Sequence, residues 1–297
     1  MEWLIFALLC PAFWGWNNVI NKFLMTKKFP GYFSITIYLN LLDLIFAGIV
    51  CLFVPISFQF PYFLFSIAAG VLPLFSFWFY SKALMVEEVS RISPLFQFIP
   101  IFVVFLSILF LGEILSAQKY FGIALIVLTS ILISYKKSEN GNSLSSAFKY
   151  MVPFSAILAV FSTINKHLLG HMDYWSVFFW SSIGSALGVL AMLAFSKPRK
   201  EFVEALPILG KRTFFVSLLG ESTYILGILF SLAATSLSYV SVVSALSGLQ
   251  HFFVFVYMVL ISLFVPKILK EELNRNVLAL KILSIAVMFV GTWLITM

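Results

Sequence analysis

Long apolar stretches alternate with short polar ones along the whole chain. Ten of them approach or exceed the roughly 20 mostly apolar residues that a membrane-spanning helix needs. They lie at 3–25, 33–55, 62–82, 92–111, 116–135, 150–169, 174–195, 213–235, 239–262 and 277–297. The first lacks the basic start of a signal peptide and carries Trp14, Trp16, Asn17 and Asn18, so it reads as a span. The longest polar connections are Lys136–Lys149 and Ser196–Arg212, which leave no room for a soluble domain or a nucleotide-binding motif. The first of them has the Gly/Ser/Asn content of a linker and divides the segments five and five.

The two halves repeat one another. Asn21-Lys22 late in the first segment recurs as Asn165-Lys166 in the sixth. Tyr32-x-Ser34 opens the second as Tyr174-x-Ser176 opens the seventh, with Tyr38 matched by Trp180. At one offset of 150, Gly70 matches Gly220, Ser81 and Ala83 match Ser231 and Ala233, and Gln97 matches Ser247. Five segments is an odd number, so the second copy enters the bilayer from the opposite side. The expectation is an all-α membrane protein of ten transmembrane helices in a 5+5 inverted repeat around a central cavity, with units 1–137 and 149–297 and a linker at 138–148. Many secondary transporters build two similar gates around a midplane site in this way.

Composition agrees. Of the 297 residues 62% are hydrophobic and 10% charged, against about 25% charged in a soluble domain. The net charge of +7 does not point to nucleic acid, because the basic residues sit in short runs between apolar segments. The connections that follow odd-numbered segments, with the helix ends facing them, hold 17 of the 19 Lys and Arg; only Lys119 and Lys166 fall on the other side. The positive-inside rule therefore places both termini outside a plasma (inner) membrane. Cys10 and Cys51 both fall in apolar segments and read as free buried thiols. Lys22, Lys82 and Lys166 lie near segment ends, where long side chains snorkel to the interface.

Two stretches, FWGWNNVINKFL (Phe13–Leu24) and SKALMVEEVSRISPLFQFIPIFVVFLSILFLGE (Ser81–Glu113), make the chain resemble the drug/metabolite transporter superfamily and, within it, the EamA-like ten-helix transporters. The second copy, Ser231–Leu263, departs from that pattern: Ser244 stands where the first has Pro94, and no Gly-Glu closes it. The resemblance implies transport, with cargoes across that superfamily ranging from amino acids and drugs to nucleotide sugars and quaternary amines. It also implies cytoplasmic termini, against the charge count.

Ionisable groups deep in a span are costly and usually face a cavity or a partner. Asp43 and Glu221 lie near the middle of the second and eighth segments with no basic residue within a turn on the same helix. Tyr224 at i+3 and Ser217 at i−4 share a face with Glu221. Such a carboxylate suits proton coupling or the role of counter-ion to a cation, or else a hydrogen bond between helices. Asp43 shares a face with Asn40 and Thr36, as a cavity stripe or as interhelical glue. Trp16, Asn17, Tyr38, Trp78 and Trp180 are candidates for an aromatic-lined cation site, although most rings in a chain with 35 Phe serve packing. Gln97 and Ser247 occupy matching positions, Gln250 and His251 follow the latter, and Pro94, Pro100 and Gly248 interrupt those two segments. His251 is a further candidate for relaying protons, or a histidine satisfied by a neighbouring helix.

No catalytic, metal-ligating or cofactor motif appears, which disfavours an enzyme. The expectation is a secondary active transporter of a small cationic or zwitterionic metabolite (an amine, a choline-like compound or an amino acid), driven by protons or a counter-substrate, for which a monomer suffices. Segments 1, 3, 4, 6, 8 and 9 should contribute most of the cavity and segments 5 and 10 sit at the periphery. The alternatives are a proton-coupled exporter of neutral or aromatic compounds and a membrane-embedded lipid flippase or enzyme.

Overall fold

A backbone in hydrocarbon must satisfy its own N–H and C=O groups within the segment, and the helix does this. The computed structural model describes residues 2–27, 29, 31–86, 93–134, 147–264 and 275–297, and among them it is helical with no strand. The helices are α1 (Glu2–Lys27), α2 (Tyr32–Phe53), α3 (Tyr62–Val86), α4 (Phe98–Leu106), α5 (Ala117–Ser134), α6 (Phe148–Leu169), α7 (Tyr174–Ala194), α8 (Ser196–Ala205), α9 (Lys211–Leu237), α10 (Val240–Leu246), α11 (Gln250–Phe264) and α12 (Arg275–Thr296). Seven helical stretches among the described residues are long and apolar enough to cross a membrane. Three shorter apolar ones, Leu95–Leu111, Ala117–Thr129 and Ala286–Thr296, lie where the sequence places the fourth, fifth and tenth segments.

The fourth and ninth segments are interrupted. A 3-10 turn over Ser93–Gln97 precedes α4, where Pro100 sits in the first turn and its missing N–H costs nothing. A π turn over Ser107–Leu111 follows and ends at Gly112, whose φ of +64° is the left-handed conformation glycine adopts without strain. The ninth segment breaks at a 3-10 turn, Ser247–Leu249, between α10 and α11. Most of the expected linker, 138–146, lies outside the described residues.

One expected connection is a helix instead. Ser196–Arg212 contains α8, which packs on α2 and α7. Its Glu201 carboxylate accepts the N–H of Ser34 at 3.0 Å, and Gly31, the cap residue of α2, has no side chain to do so. At the matching start of α7 the cap is local: Asp173 accepts from the Ser176 N–H at 3.0 Å. The repeated Tyr-x-Ser thus has its first turn closed in both halves, once by its own loop and once by a helix from far along the chain.

Helix packing positions the site. α1 lies along α9, α3 lies between α6 and α7, and α5 crosses α12. α3 and α7 meet backbone to backbone: a Cβ on Gly70 would lie 2.0 Å from the Ser181 carbonyl oxygen, and one on Gly184 would lie 1.9 Å from that of Ile67. Small residues at such crossings are how helices approach closely in a bilayer. α2 and α9, the corresponding pair in the other arrangement of the halves, touch more sparingly. Of the two free thiols, Cys10 is buried as expected and Cys51 is exposed near the end of α2.

Candidate functional site

The antiparallel contact of α1 and α9 fixes the first wall of the site. Trp14 Nε1 donates to the Tyr224 carbonyl at 3.3 Å and Asn17 Nδ2 to the Gly220 carbonyl at 2.8 Å. The Gly220 carbonyl also accepts from the Thr223 hydroxyl at 2.7 Å, and Asn21 Nδ2 donates to Asn17 Oδ1 at 2.8 Å. A side chain at Gly220 would collide with Ile20, 2.8 Å from its methyl, so the glycine lets α1 and α9 approach. This register brings Asn21 level with Ser217.

α2 supplies the second wall and runs parallel to α9. The Tyr38 hydroxyl faces that of Ser217, and Asp43 lies within electrostatic reach of Glu221 and Tyr224. Glu221 is 3% exposed and Asp43 9%. Four buried oxygens where α1, α2 and α9 meet, Asn21 Oδ1, Tyr38 Oη, Asp43 Oδ1 and Ser217 Oγ, have no well-formed hydrogen bond. Unpaired polar atoms at this density are unusual, because leaving one buried costs about 1–3 kcal/mol.

Glu221, Tyr224, Asn17, Tyr38 and Asp43 therefore come together, and the second segment, which was not among those expected to supply most of the cavity, contributes Tyr38 and Asp43. The other expected residues lie apart. Trp180 is buried with its Nε1 donating to the Ser57 carbonyl at 2.9 Å and its ring against Phe58 and Phe63. Trp78 is 43% exposed, with Lys82 Nζ 5.7 Å from its ring centre. Gln97 is buried in the turn before α4. The Ser247 hydroxyl donates to the Ser244 carbonyl at 2.6 Å, and Gln250 opens α11 half-buried. The His251 side chain lies outside the described residues. The aromatic candidates do not form one box: Trp16 makes an edge contact with Tyr257 at 5.3 Å, Tyr38 packs on Phe29 at 5.4 Å, and each tryptophan has its own neighbours.

On another face of α9, a cavity of about 160 Å³ is lined by Ala12, Phe13, Trp16, Thr223 and Tyr257. It is predominantly aromatic and holds one hydroxyl from α9.

Sequence reasoning missed a second polar group. The buried Glu113 carboxylate accepts the N–H of Val240 at 3.0 Å, that of Ser241 at 3.4 Å and the Ser241 hydroxyl at 2.8 Å, closing the first turn of α10. Lys166 Nζ donates at 2.7 Å to the carbonyls of both Thr235 and Ser238, closing the end of α9, and feels the charge of Glu113. Glu113 was visible in the Leu-Gly-Glu that closes the fourth segment, but nothing local names its partner.

The model of the EamA-like transporter family matches residues 1–135. The first 135 residues are EamA-like. This EamA-like stretch runs from α1 through the end of α5 and so contains the five apolar segments of the first half. The match points to a membrane transporter of the drug/metabolite type rather than to an enzyme. A solved structure described only as "Crystal structure of protein" is similar over 99% of this chain and 96% of its own, with a TM-score of 0.73 and 14% identity, a likeness that concerns the fold. Comparison with curated proteins returns no match. The EamA-like stretch contributes Asn17, Asn21, Tyr38 and Asp43 to the site, and the rest of the chain contributes Ser217, Glu221 and Tyr224.

Proposed function

We propose that the chain is a ten-helix secondary transporter, a 5+5 inverted repeat of units 1–137 and 149–297 joined at 138–148, that moves a small cationic or zwitterionic metabolite by alternating access. The observation that carries this reading is Glu221, 3% exposed at the junction of α1, α2 and α9, with a second acid, Asp43, within electrostatic reach. Two acids close together and away from water need a positive partner, and a passenger cation or a proton supplies it.

The packing pattern supports the repeat. The contact of α1 with α9 pairs the first and eighth segments; that of α6 with α3 pairs the sixth and third, which is the same relation with the halves exchanged. The contact of α5 with α12 maps onto itself under the same exchange. The tight α3–α7 and loose α2–α9 crossings are what one of two alternating states requires. Coupling to protons or exchange is consistent with a chain that has no nucleotide motif, and the 17-to-2 division of basic residues supports termini outside the plasma membrane.

Reconstitution tests this. Wild-type proteoliposomes should take up an organic cation, and Glu221→Gln should reduce uptake more than tenfold without lowering the melting temperature. Unaltered cation uptake by the variant sinks the assignment of Glu221.

A second reading, an exporter of neutral or aromatic compounds in which the acids couple protons only, is favoured by the Phe13–Trp16–Tyr257 cavity. In that case a neutral aromatic, and no amine, should raise the melting temperature.

A further inference from the structure

The place where α1, α2 and α9 meet has a chemical bias. Its unpaired atoms are an amide oxygen of Asn21, a carboxylate oxygen of Asp43 and the hydroxyls of Tyr38 and Ser217, with the Glu221 carboxylate beside them. The Asn21 amide nitrogen is already used, donating to Asn17, so only its acceptor end is free. Ser217 has no exposed surface and lies one turn before Glu221 on the same face, so its unpaired hydroxyl points to the same junction as the acids. Acceptors therefore outnumber donors in a site that carries two acids.

Aromatic faces, the alternative way of holding a cation, are engaged in packing: of the two rings at the site, that of Tyr38 lies on Phe29 and that of Tyr224 joins the apolar cluster of α2, α6 and α7, and the tryptophans are directed elsewhere. The indole N–H of Trp180 and its neighbouring rings hold the loop at Ser57 and Phe58, and Trp78 pairs with Lys82. Trp16 faces Tyr257 in the separate cavity on another side of α9. A quaternary ammonium has no N–H and is held chiefly by ring faces. It would leave the four oxygens around this junction as unpaired as they are now.

We infer that the junction of α1, α2 and α9 receives an ammonium group that still carries N–H protons, so that the transported cation is a primary amine and its fully methylated counterpart is discriminated against. This deepens the cation-transport reading and rests on it. Three N–H bonds on one nitrogen can be shared among Asp43, Glu221, Asn21 and the two hydroxyls, and the positive charge removes the repulsion between the acids. A site built to hydrogen-bond an N–H rejects the analogue lacking it, because the buried acceptors are then left unmatched.

The test uses matched pairs that differ in N-methylation: ethanolamine against choline, and 2-phenylethylamine against its N,N,N-trimethyl derivative. Binding is read by thermal shift on the full chain in detergent, and transport by uptake into proteoliposomes. Each primary amine should bind at least about tenfold more tightly than its trimethyl partner. Ser217→Ala and Tyr38→Phe, which remove one oxygen and leave both carboxylates, should each narrow that ratio several-fold while the ligand-free melting temperature stays within a few degrees. Equal or tighter binding of the trimethyl compounds overturns the inference and leaves cation transport standing. A ratio unchanged in both variants overturns its assignment to this junction. Stabilisation by sodium alone, with no difference between the paired amines, makes the junction an ion site and overturns it as well. If no amine of either kind binds or is taken up, the cation-transport reading fails with it.

Discussion

The Glu113 carboxylate accepts the backbone N–H of Val240 at 3.0 Å, across 127 positions of sequence, and so joins the end of the fourth apolar segment to the start of α10. The first turn of a helix presents N–H groups without intrahelical partners, and a negative charge there also meets the positive end of the helix dipole. Because Glu113 is 5% exposed, water does not substitute for it. Glu113→Ala should therefore cost about 2–3 kcal/mol of stability, and Glu113→Gln, which keeps an acceptor, about half of that. Melting temperatures should rank wild type above Gln above Ala; an alanine variant as stable as wild type contradicts the capping role.

Lys166 closes the neighbouring helix end, and the two charges act within one hairpin turn between α9 and α10. Lys166→Met should cost about 1–2 kcal/mol through the orphaned carbonyls of Thr235 and Ser238. Combined with Glu113→Gln it should be non-additive by about 0.5–1 kcal/mol. A double-mutant cycle on thermal unfolding measures this, and strict additivity would show that the two caps are independent.

The crossing of α3 and α7 depends on the absence of side chains. Gly70→Ala and Gly184→Ala each place a Cβ about 2 Å from a carbonyl oxygen, which is backbone and cannot rotate away. Each should destabilise by roughly 3 kcal/mol or more and push the two helices apart. Gly48 on α2 has open space around it, so Gly48→Ala should be neutral or stabilising by up to about 1 kcal/mol. Equal effects at Gly48 and Gly70 would remove close packing as the explanation.

Trp180 separates packing from binding. Its indole N–H holds the Ser57 carbonyl and its ring lies 4.7 Å from that of Phe58. Trp180→Phe should lower stability by about 1–2 kcal/mol and leave the apparent affinity for any transported amine within about twofold. A large loss of affinity at unchanged stability would return Trp180 to the binding site.

Asp43 should matter for transport as Glu221 does. Asp43→Asn removes one of the two neighbouring acids and keeps the size of the side chain. Uptake of an organic cation should fall about tenfold or more, while stability holds or rises because an acid buried without a basic partner is gone. Wild-type uptake by this variant would leave Glu221 as the lone acid of the site.

Helices are found where the sequence placed its apolar segments, because twenty apolar residues in a row leave the backbone few alternatives. The breaks near Pro100 and Gly248 were legible for the same reason: those residues act on their own backbone. The EamA-like character of residues 1–135 was also readable from local motifs. What escaped was the helical nature of α8, whose polar composition suggests a loop until its packing on α2 and α7 and the reach of Glu201 to Ser34 are known.

Glu221 and Asp43 stood out singly because a charge in a span is conspicuous, yet their meeting depends on α2 and α9 lying side by side, a relation between residues 178 positions apart. The aromatic candidates dispersed for the converse reason. A tryptophan's letter carries no direction, and the neighbours that claim its ring and its N–H are chosen by helix crossings. Local chemistry thus determined the segments, their breaks and the residues worth watching. Tertiary packing alone decided which of those residues share a site, because contacts between distant helices depend on crossing geometry that no short stretch of chain encodes.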